Sequence, residues 1–345
     1  MNRKIHVGIV GTGFIAQTMA KAFLTEPDYE LHSICSRNLD TAAAFRGSLN
    51  LTDIAIYDHL DTFLAQDGLD MVYVATPTTT RESICTAAIE SGKAVLAEKP
   101  FRSAESYLRL VSLAEKKGVS FLDATHFVHD PRMQEIQQYV DSGDIGKILS
   151  FRSMFSFPYD NEGSIQFNPT LEPKGALSDL GWYPLRACFF LKSGEADLSS
   201  KLISKRWNNN TGALIGINCT LEFSDGVILN FDVGYDIGYV KQYIEIIGGR
   251  ESVYIDDFVI PHNNSFVYNK PHIPHAYTLF KGVDPETDIN TVECSQSHPP
   301  HHKMLHFFSK LYRNDPEAKQ MEARLRDQVI GVLRVMDDIF SQSET

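Results

Sequence analysis

From residue 1 to about residue 123, short apolar, β-branched runs alternate with stretches whose apolar positions recur every three or four residues. This is the pattern of strand–helix–strand units in a parallel sheet. Strands are expected at His6–Val10, Glu30–Cys35, Ile54–Tyr57, Met71–Ala75, Ala94–Ala97 and Ser120–Leu122. Helices are expected near Phe14–Leu24, Leu39–Phe45, Thr62–Gln66, Arg81–Ser91 and Ala104–Lys117, the last ended by Gly118. Six strands with helices between them predict a doubly wound α/β domain.

The texture then changes. A helix runs from Pro131 to about Ser142, and after Ile148 the apolar residues alternate in longer, aromatic-rich runs: Leu149–Phe157, Leu202–Trp207, Ala213–Phe223, Val227–Tyr235, Tyr243–Ile247 and Ser252–Ile255. Turn signals such as Ser224-Asp225-Gly226 and Gly248-Gly249-Arg250 join several of them, which suits a mainly antiparallel sheet. The segment from His262 to Pro300, rich in Pro, His and Asn, reads as long loops with one short hairpin. Two helices, Met304–Arg313 and Glu317–Ser341, close the chain; in the second, Met321, Leu325, Val329, Val332, Met336 and Phe340 form one apolar face. The expected division is a domain at 1–123 and a second, with an open antiparallel sheet and the C-terminal helices, at 124–345.

Composition narrows the function. The 345 residues are 43% hydrophobic and 22% charged, as in an ordinary globular protein, and too many for a single core. A formal net charge of −12 argues against a nucleic-acid or anionic-membrane surface. Met1-Asn2-Arg3-Lys4-Ile5 leads into a strand without the apolar stretch of a signal peptide, so a cytoplasmic location is expected. Cys35, Cys85, Cys188, Cys219 and Cys294 are scattered and read as reduced thiols. Four glycosylation-type triplets, ending at Thr52, Thr211, Thr220 and Ser265, are taken as chance on that basis.

The first strand runs into Gly11-Thr12-Gly13-Phe14-Ile15-Ala16 and then a helix, the context in which this fingerprint binds a dinucleotide. Gly11 permits the tight turn, Gly13 lets the backbone approach a pyrophosphate, and Ala16 allows close helix–strand packing, while the helix N-terminus supplies N–H groups for phosphate. The second strand ends in Ser36-Arg37, with no carboxylate at its tip to bind a ribose 2′-hydroxyl. A serine donor and an arginine suit a 2′-phosphate, so NADP is favoured over NAD. Ala75-Thr76-Pro77 follows the fourth strand, placed to line the nicotinamide half of such a cleft, although a plain strand-end turn has the same composition.

Glu98-Lys99-Pro100 follows the fifth strand, with Glu98 and Lys99 expected among the cofactor contacts; Pro100 fixes its own φ and restricts Lys99. Beside a positive nicotinamide Lys99 is a usable hydrogen-bond partner or proton carrier. Asp179 and Tyr183, four apart at an expected helix start, can share one face, with Tyr183 exchanging a proton with a substrate hydroxyl and Asp179 orienting it. The plainer alternative is a capping Asp179 and a packed Tyr183. His298, His301, His302 and His306 include an i, i+4 pair, which can bind metal, but a third ligand and Cys or carboxylate spacing are missing, and no metal is expected.

Taken together, the Gly11–Ala16 loop, Ala75-Thr76-Pro77, Glu98-Lys99-Pro100 and Gly175-Ala176-Leu177-Ser178-Asp179-Leu180-Gly181-Trp182-Tyr183 resemble, in order, the motifs of the glucose–fructose oxidoreductase, inositol dehydrogenase and rhizopine-catabolism family. The resemblance implies a Rossmann domain followed by an α/β domain with an open sheet, often used for dimerisation, hence a homodimer or higher homo-oligomer. It carries the family lysine onto Lys99 and the aspartate onto Asp179. Tyr183 takes a place that many members give to His, as in glucose–fructose oxidoreductase and the dihydrodiol and xylose dehydrogenase branch, whose members favour NADP. Departures fall at Arg81, at His126-Phe127 and at Lys174. Arg81 and Lys174 suggest a substrate with an acidic group, and His126 and Trp182 are further substrate candidates. The implied activity interconverts a secondary alcohol and a ketone on a sugar, cyclitol or diol; the alternatives are a non-catalytic dinucleotide-sensing regulator or a reductase of an unrelated carbonyl or imine.

Overall fold

The computed structural model describes residues 3–192, 197–264, 266–295 and 298–344. Met1, Asn2 and Ser265, which entered the expectations above, lie outside them. By their contacts the residues group into two units, one of 1–126 with 301–330 and one of 127–300 with 331–345. Much of the C-terminal helical stretch therefore groups with the first unit, whereas a single cut after residue 123 assigns it to the second.

The first unit contains β1 (Ile5–Val10), α1 (Phe14–Thr25), β2 (Tyr29–Cys35), α2 (Leu39–Ser48), β3 (Ala55–Tyr57), α3 (Leu60–Leu64), β4 (Met71–Val74), α4 (Thr78–Glu90), β5 (Ala94–Ala97), α5 (Ala104–Lys117) and β6 (Phe121–Asp123). The strands form one parallel sheet in the order β3-β2-β1-β4-β5-β6. Every residue of β4 and β5 is buried, as a sheet covered on both faces requires. Chain order reverses between β1 and β4, which opens a crevice at their carboxyl ends. Local signals set the helices. In α5 the Ser103 side chain caps the N-terminus at Ser106 N, Lys116 and Lys117 occupy the last turn, and Gly118 ends it at φ 68°.

In the same unit, α9 (Pro300–Tyr312) and the first half of α10 (Pro316–Glu344) are tied to the sheet by side chains that sequence periodicity does not reveal. The Tyr29 hydroxyl donates to Leu305 O at 2.6 Å, and the Ser309 hydroxyl donates to the Asp28 carboxylate at 2.8 Å.

The second unit contains α6 (Pro131–Asp141), β7 (Ile148–Ser156), α7 (Gly175–Asp179), α8 (Trp182–Leu191), β8 (Leu198–Trp207), β9 (Leu214–Phe223), β10 (Ile228–Gly234), β11 (Lys241–Gly248), β12 (Ser252–Ile255), β13 (Ala276–Phe280) and β14 (Ile289–Glu293). Its eight strands run β14-β13-β12-β11-β7-β10-β9-β8, antiparallel except for the parallel pair β7–β10. Alternation sets the faces: Leu229, Phe231 and Val233 of β10 are buried, while Ile228, Asn230 and Asp232 point to the less covered side. The expected hairpin between His262 and Pro300 is β13–β14.

Asp179 and Tyr183 do not share one continuous helix. Asp179 ends α7 and Tyr183 lies in the first turn of α8, because Gly181 N turns back to Ala176 O at 3.0 Å and the helix restarts at Trp182. Gly175, at φ 44°, allows this entry: a Cβ there would lie 2.2 Å from Leu214 O on β9.

A buried charge network joins α6 to the sheet. Arg132, with no exposed side chain, donates to the Asp257 carboxylate at 2.5 Å and to Ala276 O at 2.9 Å; Asp130 caps α6 and meets His275 at 2.8 Å. Burial pushes the Asp130 carboxyl up, but the His275 hydrogen bond and the Arg132 charge outweigh it and hold it below its usual range. A depressed carboxylate stabilises the fold above its unfolded value and loses that contribution as pH falls through the folded one. Replacing Asp257 by Ala, which leaves the Arg132 charge buried without this carboxylate, is expected to cost about 3–5 kcal/mol in denaturant unfolding. A loss below about 1 kcal/mol, the range of an exposed ion pair, would show that the network is not structural.

Candidate functional site

In the first unit, the Gly-rich turn sits at the switch point of the sheet. Gly11 N donates to Cys35 O at 3.0 Å at the end of β2, and Ala75 N donates to Val10 O at 2.8 Å, so the turn lies between the ends of β2 and β4. Gly11 has φ 110°, and a Cβ there would lie 2.4 Å from Ala75 O. Around Gly13 a Cβ would meet nothing within 4 Å, so the backbone faces open space. Gly13 offers no side-chain cap to α1, so the N–H groups of its first turn, at Phe14 and Ile15, are presented beside that space; Thr12 completes the turn. A backbone that only glycine permits, next to an open helix N-terminus, fits a dinucleotide pyrophosphate.

At the tip of β2, Ser36 is anchored through its N–H to Tyr57 O at 3.0 Å. Asn38 caps α2 by accepting from Asp40 N at 2.7 Å and Thr41 N at 3.3 Å. Arg37, between them, is exposed and makes no hydrogen bond or ion pair with the described residues. A cation held at the strand tip by its neighbours, with its own donors open, suits a phosphate monoester.

The ends of β4 and β5 are adjacent, as the sequence reading requires, but two side chains there differ from it. Pro77 precedes α4, and Thr76 O accepts a hydrogen bond from Arg81, whose other amino group reaches Pro100 O; Arg81 is 4% exposed. Arg81 is therefore part of the framework, engaged with main-chain carbonyls, and is not the acidic-substrate contact suggested by its sequence position. Glu98, expected among the cofactor contacts, turns its carboxylate inward, where it accepts from the fully buried Tyr73 hydroxyl at 2.5 Å. Burial pushes the Glu98 carboxyl up, against the Tyr73 hydrogen bond and the charges of Lys99 and Arg81. Lys99 is half-buried between Glu98 and Pro100, and its bond to Pro100 is cis.

In the second unit, Tyr183 is 9% exposed, its ring edge-on to Phe155 at 5.1 Å and tilted on Phe127 at 5.9 Å. Asp179 accepts a hydrogen bond from the Tyr235 hydroxyl at 3.2 Å. Tyr235 is itself buried, edge-on to Tyr159 at 5.1 Å and beside Phe167 at 5.9 Å. Trp182, a substrate candidate from sequence, has no exposed surface: the first turn of α8 points it into the core. Lys174, the other acidic-substrate candidate, is paired with Asp337, so that suggestion loses both of its residues. His126 lies in the first unit, 7% exposed, close enough to His301 for their charges to interact. Tyr73 and Tyr235 were missed by the sequence reading. The period-two run Leu229, Phe231, Val233 places Tyr235 next on the covered face, a usable signal; the inward turn of Glu98 has none.

Residues 5–124 match the model of an oxidoreductase family with an NAD-binding Rossmann fold, and residues 133–254 match the GFO/IDH/MocA C-terminal domain. The chain belongs to this family. It is an NAD(P)-dependent oxidoreductase acting on CH–OH groups. Among curated relatives, dTDP-3,4-didehydro-2,6-dideoxy-alpha-D-glucose 3-reductase of Actinomadura kijaniata is 30% identical over 241 residues, 69% of this chain and 71% of that protein. A scyllo-inositol 2-dehydrogenase (NADP(+)) of Bacillus subtilis (strain 168), IolU, is 25% identical over 57% of this chain and 61% of its own. A solved structure of KijD10, a 3-ketoreductase from Actinomadura kijaniata in complex with NADP and TDP-benzene, has a TM-score of 0.81 at 24% identity, covering 96% of this chain and 97% of that one; it shows the shared fold. Among the described residues no helix is long and apolar enough to cross a membrane.

Replacing Gly11 by Ala puts a side chain against the Ala75 main chain at a left-handed φ, a strain of about 1–3 kcal/mol. NADPH affinity, followed by fluorescence titration, is expected to fall roughly five- to a hundredfold. Unchanged affinity would contradict the cradle.

Proposed function

We propose that this enzyme interconverts a secondary alcohol and a ketone on a sugar, cyclitol or diol, with NADP as its cofactor and residues 1–123 and 124–345 as the cofactor and substrate domains. The observation that carries the reading lies within one sheet: Lys99 follows β5 and the Gly11 turn follows β1, at the same carboxyl edge, with only β4 between. A lysine so close to a dinucleotide cradle is positioned for chemistry at the cofactor's reactive end. Relatives named as NADP-dependent, the inositol dehydrogenase above and a D-xylose 1-dehydrogenase (NADP(+)) of Haloferax volcanii, support the cofactor. Relatives named as dTDP-ketosugar reductases make nucleotide-linked ketosugars the first substrates to try.

When bound, NADP supplies the hydride acceptor or donor of the reaction. The chain's own residues do the rest. With Gly11 holding the turn, N–H groups at Thr12, Gly13, Phe14 and Ile15 bind the pyrophosphate, Ser36 and Arg37 hold the 2′-phosphate, and Thr76 and Pro77 line the nicotinamide side. Tyr183 exchanges a proton with the substrate oxygen, Lys99 donates a hydrogen bond to that oxygen, and Asp179, held by Tyr235, orients the substrate hydroxyl. His126 remains a substrate contact in this reading. The enzyme works as a homodimer or higher homo-oligomer through the less covered face of the eight-stranded sheet.

Two substitutions separate binding from chemistry. Lys99→Met is expected to lower kcat by about 10²–10⁴-fold while NADPH affinity stays within about tenfold of wild type; substantial remaining turnover refutes the role given to Lys99. Arg37→Asp removes a charge-assisted phosphate contact of about 1.5–3 kcal/mol and adds a partner for a ribose hydroxyl, so the NADP-to-NAD preference should fall by roughly tenfold or more. A preference that does not move would place the 2′-phosphate elsewhere.

A further inference from the structure

We infer that Arg81 is a positioning residue for Lys99. The inference rests on the proton-handling role proposed for Lys99, and its basis lies wholly within the first unit. Lys99 is bracketed. On its N-terminal side, Glu98 N donates to Val74 O at 2.9 Å, and the Glu98 carboxylate is held by the Tyr73 hydroxyl at 2.5 Å. On its C-terminal side, the Pro100 carbonyl accepts from one amino group of Arg81. The other amino group of the same guanidinium reaches Thr76 O in the loop after β4, and Thr78 Oγ1 lies 3.4 Å from the first. One planar cation thus spans the β4 and β5 loops, the two segments that line the proposed nicotinamide and proton-transfer positions.

Arginine suits this task for chemical reasons. Its guanidinium carries five N–H donors in a fixed plane and keeps its charge at any working pH, so two carbonyls from different loops are satisfied together. A lysine ammonium is a compact charge with freely rotating donors and fixes no such plane. With Arg81 4% exposed, little water is available to replace a lost bond. Removing the guanidinium frees the Pro100 and Thr76 carbonyls and so releases the C-terminal side of the Lys99 bracket. The Glu98 carboxylate stands near both Arg81 and Lys99, so loss of Arg81 also changes the charge balance that the Lys99 amine meets.

The test reads Lys99 itself, without any substrate. Acylation of lysines by trace acetic anhydride, quantified by mass spectrometry across a pH series, gives the reactivity of Lys99 alongside Lys93, whose amine is tied to Leu69 O at 2.9 Å at the start of β5. In R81Q the Lys99 rate is expected to change by about threefold or more while Lys93 stays at its wild-type rate, and R81K should show a smaller change in the same direction. Should R81Q fail to fold, the R81K profile decides alone. An unchanged Lys99 profile in a folded variant overturns the inference, and so does an equal change at Lys93, which marks general loosening. Because the readout needs no turnover, it stands whether or not Lys99→Met abolishes activity, and the two claims fail separately.

Discussion

The close approach of the Gly11 turn to the main chain of Ala75 is the constraint on which the cofactor half of this enzyme depends. With a Cβ-to-carbonyl distance of 2.4 Å, only glycine lets β1 end so near β4. That approach brings the first turn of α1, the tip of β2 and the loops after β4 and β5 to one edge of the sheet. The Gly11 turn, the Arg37 cation, Thr76-Pro77 and Lys99 therefore lie along a single rim, the one at which the cofactor site is proposed.

The second unit solves a different problem. Its sheet covers one face with α8, whose buried side chains include Trp182, Leu185, Phe190 and Leu191, and uses the break at Gly181 to hold Asp179 and Tyr183 on separate helical segments. Asp179 then depends on Tyr235, just past the end of β10, for its orientation, and Tyr183 depends on the rings of Phe127 and Phe155. Aromatic packing fixes these two polar side chains more firmly than an exposed helix surface could, because the rings adopt defined edge-on geometries in a dense interior.

The parallel domain was legible because its strands are buried on both faces and read as apolar runs with Gly and Pro between them. Ala94–Ala97 and Ala104–Lys117 agree to the residue, and the Gly11 and Lys99 motifs fall at strand ends where chemistry is expected. What sequence could not supply is the direction in which polar side chains turn. Arg81 and Lys174 read as substrate cations, yet one caps main-chain carbonyls and the other pairs with Asp337, more than 160 residues away. The same limit hid the Arg132–Asp257 network, the inward Glu98 and the parallel pairing of β7 with β10, since each joins segments far apart in the chain. The α7–α8 break was missed for a local reason: Gly181 costs a helix only about 1 kcal/mol, so the spacing of Asp179 and Tyr183 alone reads as continuous.

The most direct test of the account is reduced-cofactor absorbance with NADP(H) and NAD(H) in parallel against nucleotide-linked ketosugars, inositols, aldoses and diols. The account predicts turnover of at least one alcohol–ketone pair, faster with NADP(H). Tight NADPH binding with no turnover across the panel, or faster turnover with NAD(H), would contradict it.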